Sequence, residues 1–318
     1  MNEIRLEKGG HMVDKYLLSL CIPTNGIVEW VVPVLESIFS QSALKEEYEV
    51  IIADNGDNEL FRIAIQKYID KYNNILYKRT NATGFLNQIE SFKLATGTFV
   101  KFINHRATLK DGALSQLLSF VKENENSKPA VFFTNGKLKK RPEIVSIDDF
   151  DEFIAELSIQ SSWSAGLGFW KSDFERIDSF NYTFNTLFPH ITILFNIDYK
   201  ERYIIDNRAL ITEITTSNKK GSYNIFYAFS VEYISLLCDL VRKGVLSISS
   251  FLKIKNELLT FCMDLYIQFV VLHNECSYDL SDCNQYLSVY YSKNELMRRG
   301  LCRFPYTSCR SIKHAIWK

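Results

Sequence analysis

The first half of the chain alternates between short apolar runs and longer stretches with apolar residues at helical spacing, and this alternation limits the fold more than any other feature. The apolar runs, each the length of a strand, fall at residues 16–22, 48–53, 75–78, 99–103 and 130–134. The stretches with helical spacing lie between them, at residues 29–41, 59–72, 85–96 and 113–123. Parallel strands need a crossover between them, and that crossover is usually a helix. The sequence therefore predicts an α/β fold with a mostly parallel sheet flanked by helices.

The second half has a different pattern. Residues 163–210 mix short strands and turns, and residues 225–275 are helical in pattern with a break at 244–250. No linker rich in Pro or Gly separates the two halves, so we expect one α/β domain that carries a packed helical C-terminal region. The predicted boundaries are residues 1–12 for a leader or added segment, 13–220 for the α/β domain and 221–318 for the helical region with a basic tail.

Composition excludes several classes of protein. Hydrophobic residues make up 47% of the chain, which is too many for a disordered protein. Lys and Arg number 37 and so do Asp and Glu, so the basic excess of a typical nucleic-acid binder is absent and no nucleic-acid partner is expected. The sequence has no GxGxxG or P-loop motif and no signal-peptide pattern, and its seven cysteines form no CxxC. Together these features predict a cytoplasmic protein with free thiols.

Polar residues follow directly on three of the predicted strands. These clusters are Thr24-Asn25, Asp54-Asn55 and Asn104-His105-Arg106. In an open parallel sheet, ligands bind outside the carboxyl ends of the strands. Turn residues also belong at strand ends, so any one cluster is explained by the turn alone. Three clusters on one predicted sheet favour a shared pocket.

Four segments, taken in order, resemble the inverting family 2 glycosyltransferases, which have the GT-A fold. They are LSLCIPTN at residues 18–25, EVIIADNG at 49–56, NATGFLN at 81–87 with ATGTFVKFI at 95–103, and GLGFWKSDFERIDSF at 166–180. The resemblance covers about residues 16–195. It implies a GT-A nucleotide-diphospho-sugar transferase-like fold and transfer of a sugar, with inversion, from a nucleotide diphosphate sugar to a glycan or lipid-linked glycan in surface polysaccharide synthesis.

The resemblance also implies which residues bind the nucleotide. They are Pro23, Thr24, Asn25, Asp54, Asn55, Asn81, Gly84, Asn87, Asn104 and His105. Asp54 occupies the place of the carboxylate that contacts the base. A carboxylate can accept the imide N–H of uracil or thymine, whereas cytosine lacks that proton on N3. Of these donors, a UDP-sugar is favoured.

The chain departs from the family where a divalent cation would bind. The family places two aspartates, one residue apart, after the strand at residues 99–103, and this chain has Asn104 and Arg106 there. Mg²⁺ and Mn²⁺ prefer anionic oxygen ligands, so no cofactor is expected and a divalent metal is disfavoured. Arg106 would then stabilise the diphosphate leaving group, with help from His105 if it is protonated. The alternatives are a residual metal site, or an inactive site in which Arg106 pairs with a carboxylate.

Two further assignments concern the acceptor side. The family's catalytic base aligns with the stretch around His190, and an ordinary imidazole is a competent base at neutral pH. A lone histidine among apolar residues is more often a structural core residue. Trp163 and Trp170 flank a run of small residues and are candidates for stacking on an acceptor sugar. Core packing is the alternative for both tryptophans.

The C-terminal end is basic. Residues 293–318 contain seven Lys or Arg residues and one acid, Glu295, interleaved with aromatic residues. This pattern suits an anionic membrane surface, and it would place the enzyme on the inner face of the cell membrane. A solvated tail, or contact with an acidic patch on the same chain, is the alternative. The helical region could also pair subunits into a homo-oligomer. The alternative function is an inactive protein of the same fold that binds nucleotide sugars or acts as a scaffold.

Overall fold

The computed structural model describes residues 16–180, 182–214 and 221–316, with side chains described as far as residue 309. Its contacts divide the chain into two compact units that interleave along the sequence. Within the described residues, the first unit comprises 16–128, 167–180, 182–183 and 210–212, and the second comprises 129–166, 184–209, 213–214 and 221–316. The predicted leader, residues 1–12, lies outside the described residues. The boundary at residue 220 stays a prediction.

The structure has ten strands and twelve α-helices in the described residues. The strands are β1 (Tyr16–Thr24), β2 (Tyr48–Asp54), β3 (Ile75–Arg79), β4 (Gly97–Phe102), β5 (Ala107–Leu109), β6 (Ala130–Phe133), β7 (Ile144–Ile147), β8 (Leu167–Trp170), β9 (Tyr203–Asp206) and β10 (Ile211–Glu213). The helices are α1 (Val28–Phe39), α2 (Glu59–Lys71), α3 (Asn87–Lys93), α4 (Ala113–Asn124), α5 (Phe150–Leu157), α6 (Lys171–Ser179), α7 (Pro189–Leu194), α8 (Ile225–Tyr227), α9 (Tyr233–Arg242), α10 (Ile248–Leu265), α11 (Cys283–Tyr290) and α12 (Lys293–Ile316). Two π-helical segments, Ala228–Glu232 and Tyr266–Val271, extend the helices that precede them.

The first unit is built on a sheet with strand order β3-β2-β1-β4-β8. The first four strands are parallel and β8 is antiparallel to β4. All seven residues of β2 are buried, as expected for a parallel strand covered on both faces. Helix α1 buries Val31, Val34, Leu35 and Ile38, a stripe at helical spacing. The sheet register places Thr24 directly beside Asp54, so these strands end together.

The second unit has the strand order β6-β9-β7 together with most of the C-terminal helices. Part of its core is formed by Ile225, Phe226, Cys262 and Leu287, which are buried. The predicted break at 244–250 is present, because α9 ends at Arg242 and α10 begins at Ile248. Gly244 has a φ of +75°, in the left-handed region, which suits a residue that ends a helix.

The predicted fold class is confirmed, and two local predictions are corrected. The helix predicted over 85–96 begins later, since residues Gly84–Leu86 form a 3₁₀ turn and α3 runs from Asn87 to Lys93. The polar stretch after β8 lies in the region predicted to mix short strands and turns, and it is helix α6. Asp173 lies on the buried side of this helix with 3% of its surface exposed, a placement that the charged sequence does not reveal.

Candidate functional site

The carboxyl ends of β1 to β3 are tied together by the side chain of Asn87, at the start of α3. Its Nδ2 donates hydrogen bonds to the backbone oxygens of Thr24 and Ala53, at 3.2 and 2.8 Å. Its Oδ1 accepts a hydrogen bond from Thr80 Oγ1 at 2.6 Å. Asn87 is buried, with 3% exposure. The amide of Asn87, which was predicted to bind the nucleotide, therefore holds the strand ends together in this structure.

Asp54 organises the turn that follows β2. Its Oδ1 accepts the Gly56 N–H at 2.8 Å, and its Oδ2 accepts the Tyr77 hydroxyl at 2.9 Å. Burial and this bond to Asp54 raise the pKa of Tyr77 to about 12. Asp54 has no exposed surface, so the carboxylate offers no open face to a nucleotide base. The predicted contact with an imide N–H would require a different arrangement of this turn.

The loops around Asp54 approach each other closely. A Cβ atom added at Gly56 would lie 2.1 Å from the backbone oxygen of Asn25, so only glycine fits there. Asn55 Nδ2 donates to Ala82 O at 2.9 Å and so holds the loop that contains Asn81 and Gly84. Asn25, Asn81 and Gly84 are exposed at this edge and Pro23 is half-buried.

The turn after β4 brings a second set of predicted residues to the same edge. The backbone N–H of Arg106 donates to Asn104 Oδ1 at 3.0 Å, which fixes the turn. His105 Nδ1 lies 3.0 Å from Thr24 Oγ1. The guanidinium carbon of Arg106 lies 5.0 Å from the ring centroid of Trp30, within the range of a cation–π contact. Trp30 also meets the His105 ring edge-on, with centroids 5.0 Å apart.

His105 is neutral at physiological pH. Burial, followed by the nearby Arg106 charge, lowers its pKa to about 3. The suggestion that a protonated His105 would assist with phosphate charge is therefore not supported by this environment. A neutral ring can instead accept a hydrogen bond from the Thr24 hydroxyl at Nδ1, with its own proton on Nε2. Arg106 is then the cationic member of this turn.

The residues at the family's metal position do not suit a divalent cation. Asn104 uses its amide oxygen within the turn, His105 Nδ1 faces the Thr24 hydroxyl, and Arg106 repels a cation. Across the described part of the chain, no group of three or more His, Cys, Asp or Glu side chains is placed to hold a metal ion.

His190 lies in the core of the second unit, at the start of α7. Only 2% of its surface is exposed, and Nε2 lies 3.1 Å from the backbone oxygen of Ser162. Its Nδ1 has no hydrogen-bond partner among the described residues. Burial lowers its pKa to about 4, which makes it a weaker base than an ordinary imidazole. These observations favour the structural role over the predicted role as catalytic base.

The two candidate acceptor tryptophans differ in exposure. Trp170 ends β8 with no exposed surface and packs edge-on against Phe99, with centroids 5.0 Å apart. A fully buried indole has no face for a sugar, so the structure favours core packing. Trp163, in the second unit, is half-buried. A Cβ atom at Gly166 would lie 2.2 Å from the Phe132 ring, so this small residue serves packing rather than ligand access.

Sequence reasoning missed Trp30 and Tyr77. Trp30 lies in the first turn of α1, where an aromatic residue is consistent with any helix that packs on a sheet. Tyr77 lies beside Ile52 in the sheet, two residues short of the strand end at Arg79. A sheet register would have been needed to place its hydroxyl against Asp54, and the sequence alone does not supply that register.

The mostly parallel sheet of the first unit, with this polar cluster at its carboxyl edge, has the arrangement expected for a nucleotide-sugar transferase of the GT-A fold. The family model described as glycosyl transferase family 2 matches residues 19–188, more than half of the chain. The chain therefore belongs to glycosyl transferase family 2, and the resemblance inferred from its motifs is confirmed.

Curated relatives align with part of the chain. A poly(ribitol-phosphate) beta-glucosyltransferase of Bacillus spizizenii is 27% identical over 125 residues, which is 38% of this chain and 19% of the relative. The minor teichoic acid biosynthesis protein GgaB of Bacillus subtilis is 25% identical over 128 residues, 38% of this chain and 14% of the relative. The chain thus aligns with less than a fifth of the length of either protein.

Solved structures share the fold. S. aureus TarS 1–349 in complex with UDP-GlcNAc has a TM-score of 0.56 and 16% identity, covering 81% of this chain and 76% of that one. The mannosyltransferase PcManGT of Pyrobaculum calidifontis, in complex with GDP-Man and Mn²⁺, has a TM-score of 0.51 and 12% identity, covering 91% and 87%. At these identities the likeness concerns the fold alone.

Proposed function

We propose that this glycosyltransferase moves a sugar, with inversion, from a UDP-sugar to a hydroxyl on a surface polysaccharide, and that it does so without a divalent metal. The observation that carries the proposal is the position of Arg106. Its guanidinium lies against Trp30, in the turn that also places His105 beside Thr24. A cation at this edge can stabilise the charge that develops on a diphosphate leaving group.

The chemistry of the turn supports a metal-independent leaving-group site. A guanidinium presents two parallel N–H donors to phosphate oxygens, which a metal ion would otherwise coordinate. The neutral state of His105 leaves it as a hydrogen-bonding group and not a second cation. Exposed loop groups at Asn25 and Asn81 are open to the nucleoside. Asp54 would stabilise this surface by fixing the turn at Gly56.

The acceptor class is proposed from the names of the curated relatives. One aligned Bacillus protein is named as a glucosyltransferase of poly(ribitol phosphate), and the other is named for minor teichoic acid biosynthesis. We propose a glycan or lipid-linked glycan of this type as the acceptor.

Calorimetric titration with UDP tests the leaving-group site. Wild-type protein should bind UDP equally well in EDTA and in Mn²⁺. Arg106→Ala should weaken binding at least tenfold, the effect of removing about 1.4 kcal/mol of charged hydrogen bonding. Arg106→Lys keeps the charge and loses the paired donors, so its affinity for UDP should lie between those of the wild type and Arg106→Ala.

The matched control is Arg242→Ala, because Arg242 is an exposed arginine paired with Asp239. UDP binding that depends on Mn²⁺, or that is unchanged by Arg106→Ala, would contradict metal-independent binding at this turn. A screen of nucleotide sugars for hydrolysis then identifies the donor. UDP binding without turnover of any donor would support the alternative, an inactive protein that binds nucleotide sugars.

A further inference from the structure

The last helix of the described chain packs against α10 through polar side chains. Arg303 donates hydrogen bonds to both carboxylate oxygens of Asp264, at 2.8 and 2.6 Å, and Thr307 Oγ1 donates to the same carboxylate at 2.7 Å. Arg299 donates to Thr260 Oγ1 at 2.8 Å. Hydrogen bonds and an ion pair therefore contribute to the attachment of α12, together with Leu296, which packs against the hydrophobic core of the same unit.

The same helix presents apolar side chains to solvent. Met297, Leu301 and Phe304 are 56%, 73% and 45% exposed. They are spaced four and three residues apart, which places them on one stripe of a helix. An ordinary surface helix buries its apolar residues, whereas on α12 these three are exposed while Arg299 and Arg303 are half-buried. Burying these side chains against another apolar surface would be favourable, because moving each of them out of water lowers the free energy.

The charges on this helix are mostly positive. Glu295, the one acid in residues 293–318, accepts hydrogen bonds from the Ser292 backbone N–H and hydroxyl, so it caps the helix. Arg299 and Arg303 are engaged with α10. Lys293 and Arg298 are exposed. The sequence adds Arg310, Lys313 and Lys318, whose side chains lie outside the described part of the chain.

The exposed apolar stripe and the excess positive charge together indicate what binds to this face of α12. A second copy of α12 would cover the stripe but would bring two basic helices together, and like charges disfavour that pairing. An anionic lipid surface accepts both features, since the apolar side chains enter the interface and the cations meet the headgroups. No helix in the described ranges is long and apolar enough to cross a membrane. We infer that α12 binds along the surface of an anionic bilayer through Met297, Leu301 and Phe304.

Vesicle co-sedimentation of the full chain tests this inference. The wild type should bind vesicles that contain phosphatidylglycerol and should bind pure phosphatidylcholine at least tenfold more weakly. Met297→Ser/Leu301→Ser/Phe304→Ser should lower the affinity for anionic vesicles at least tenfold. This loss is a modest share of the free energy that burying three apolar side chains provides. Lys293→Gln/Arg298→Gln should lower it about 25-fold, since each of the two cations near the surface contributes roughly fivefold.

A matched triple variant controls for surface hydrophobicity in general. Leu44→Ser/Leu60→Ser/Ile63→Ser removes side chains that are 65%, 72% and 56% exposed, in the first unit. This variant should bind anionic vesicles as the wild type does. The inference is overturned if the wild type does not bind them, or if the α12 triple variant binds them unchanged. It is also overturned if light scattering shows a wild-type dimer that the α12 triple variant loses, because the stripe then pairs subunits.

Discussion

Arg106 depends on its neighbours for its position. Its backbone N–H is held by Asn104, and its guanidinium lies over Trp30, which also contacts His105. A long, charged side chain loses much rotamer entropy when it binds phosphate, and an aromatic ring that confines it beforehand lowers that loss. At the scale of single residues, Trp30 is therefore a positioning residue for the proposed leaving-group site.

Trp30→Leu should weaken UDP binding about fivefold, the equivalent of a 1 kcal/mol cation–π contact. Trp30→Phe, which keeps a ring, should retain most of the affinity. The double variant Trp30→Leu/Arg106→Ala should bind no more weakly than Arg106→Ala, because the tryptophan acts through the arginine. Calorimetry on the wild type, Trp30→Leu, Arg106→Ala and the double variant measures this coupling. Fully additive losses would show that Trp30 acts independently of Arg106.

The sequence predicted part of this site for a physical reason. Parallel strands end at a common edge, so Thr24, Asp54 and His105 were expected to meet there, and Thr24 does contact both loops. Burial was not predictable in the same way. Whether Asp54 faces a ligand or a tyrosine depends on Tyr77, and whether His190 is a base or a core residue depends on how α7 packs.

At the scale of secondary-structure elements, the close approach of β1 and β2 shapes the binding edge. Asn87 links the backbones of both strands, and Asn55 N–H donates to Thr24 O at 3.0 Å. Gly56 then passes so near Asn25 that no side chain fits. The alternation of strands and helices predicted a mostly parallel sheet, but it did not predict this contact between two loops.

Gly56→Ala should destabilise the protein by about 2 kcal/mol, because the new Cβ must displace the backbone at Asn25. In a chain of this size the melting temperature should fall by several degrees. Gly300→Ala is the control, since its Cβ would meet only the flexible end of Met263, at 3.2 Å. Scanning calorimetry of both variants checks the prediction. Equal melting temperatures for Gly56→Ala and the wild type would contradict it.

At the scale of the whole molecule, two buried histidines make stability depend on pH. Burial lowers the pKa of His190 to about 4 and that of His105 to about 3. In the unfolded chain both titrate near the ordinary value of about 6.5. The unfolded state therefore takes up protons first as the pH falls. The contribution of these two histidines to the free energy of unfolding is fully present above about pH 6.5. It is lost progressively as the pH falls toward their folded-state pKa values.

From pH 7 to pH 5, His190 alone should cost about 2 kcal/mol of unfolding free energy. His190→Gln should remove that share of the pH dependence, because the amide can still donate to Ser162 O and does not titrate. His273→Gln, at an exposed histidine, is the control and should leave the dependence unchanged. Urea unfolding at several pH values measures the difference.

The same His190→Gln variant separates the two roles considered for this residue. Near-wild-type turnover would assign His190 to the core, whereas loss of turnover with intact UDP binding would restore it as the base. A pH dependence of unfolding identical to that of the wild type would contradict the buried, neutral state of the imidazole.

The interleaving of the two units has a consequence for synthesis on the ribosome. Strand β8 completes the first-unit sheet beside β4, yet it lies some way further along the chain, after residues assigned to the second unit. While the nascent chain is shorter than that, β4 has an unpaired edge, and such edges invite pairing with other chains. Ribosome-bound chains that stop before Leu167 should therefore be prone to aggregation, and a chaperone that shields this edge during elongation would raise the yield of native enzyme.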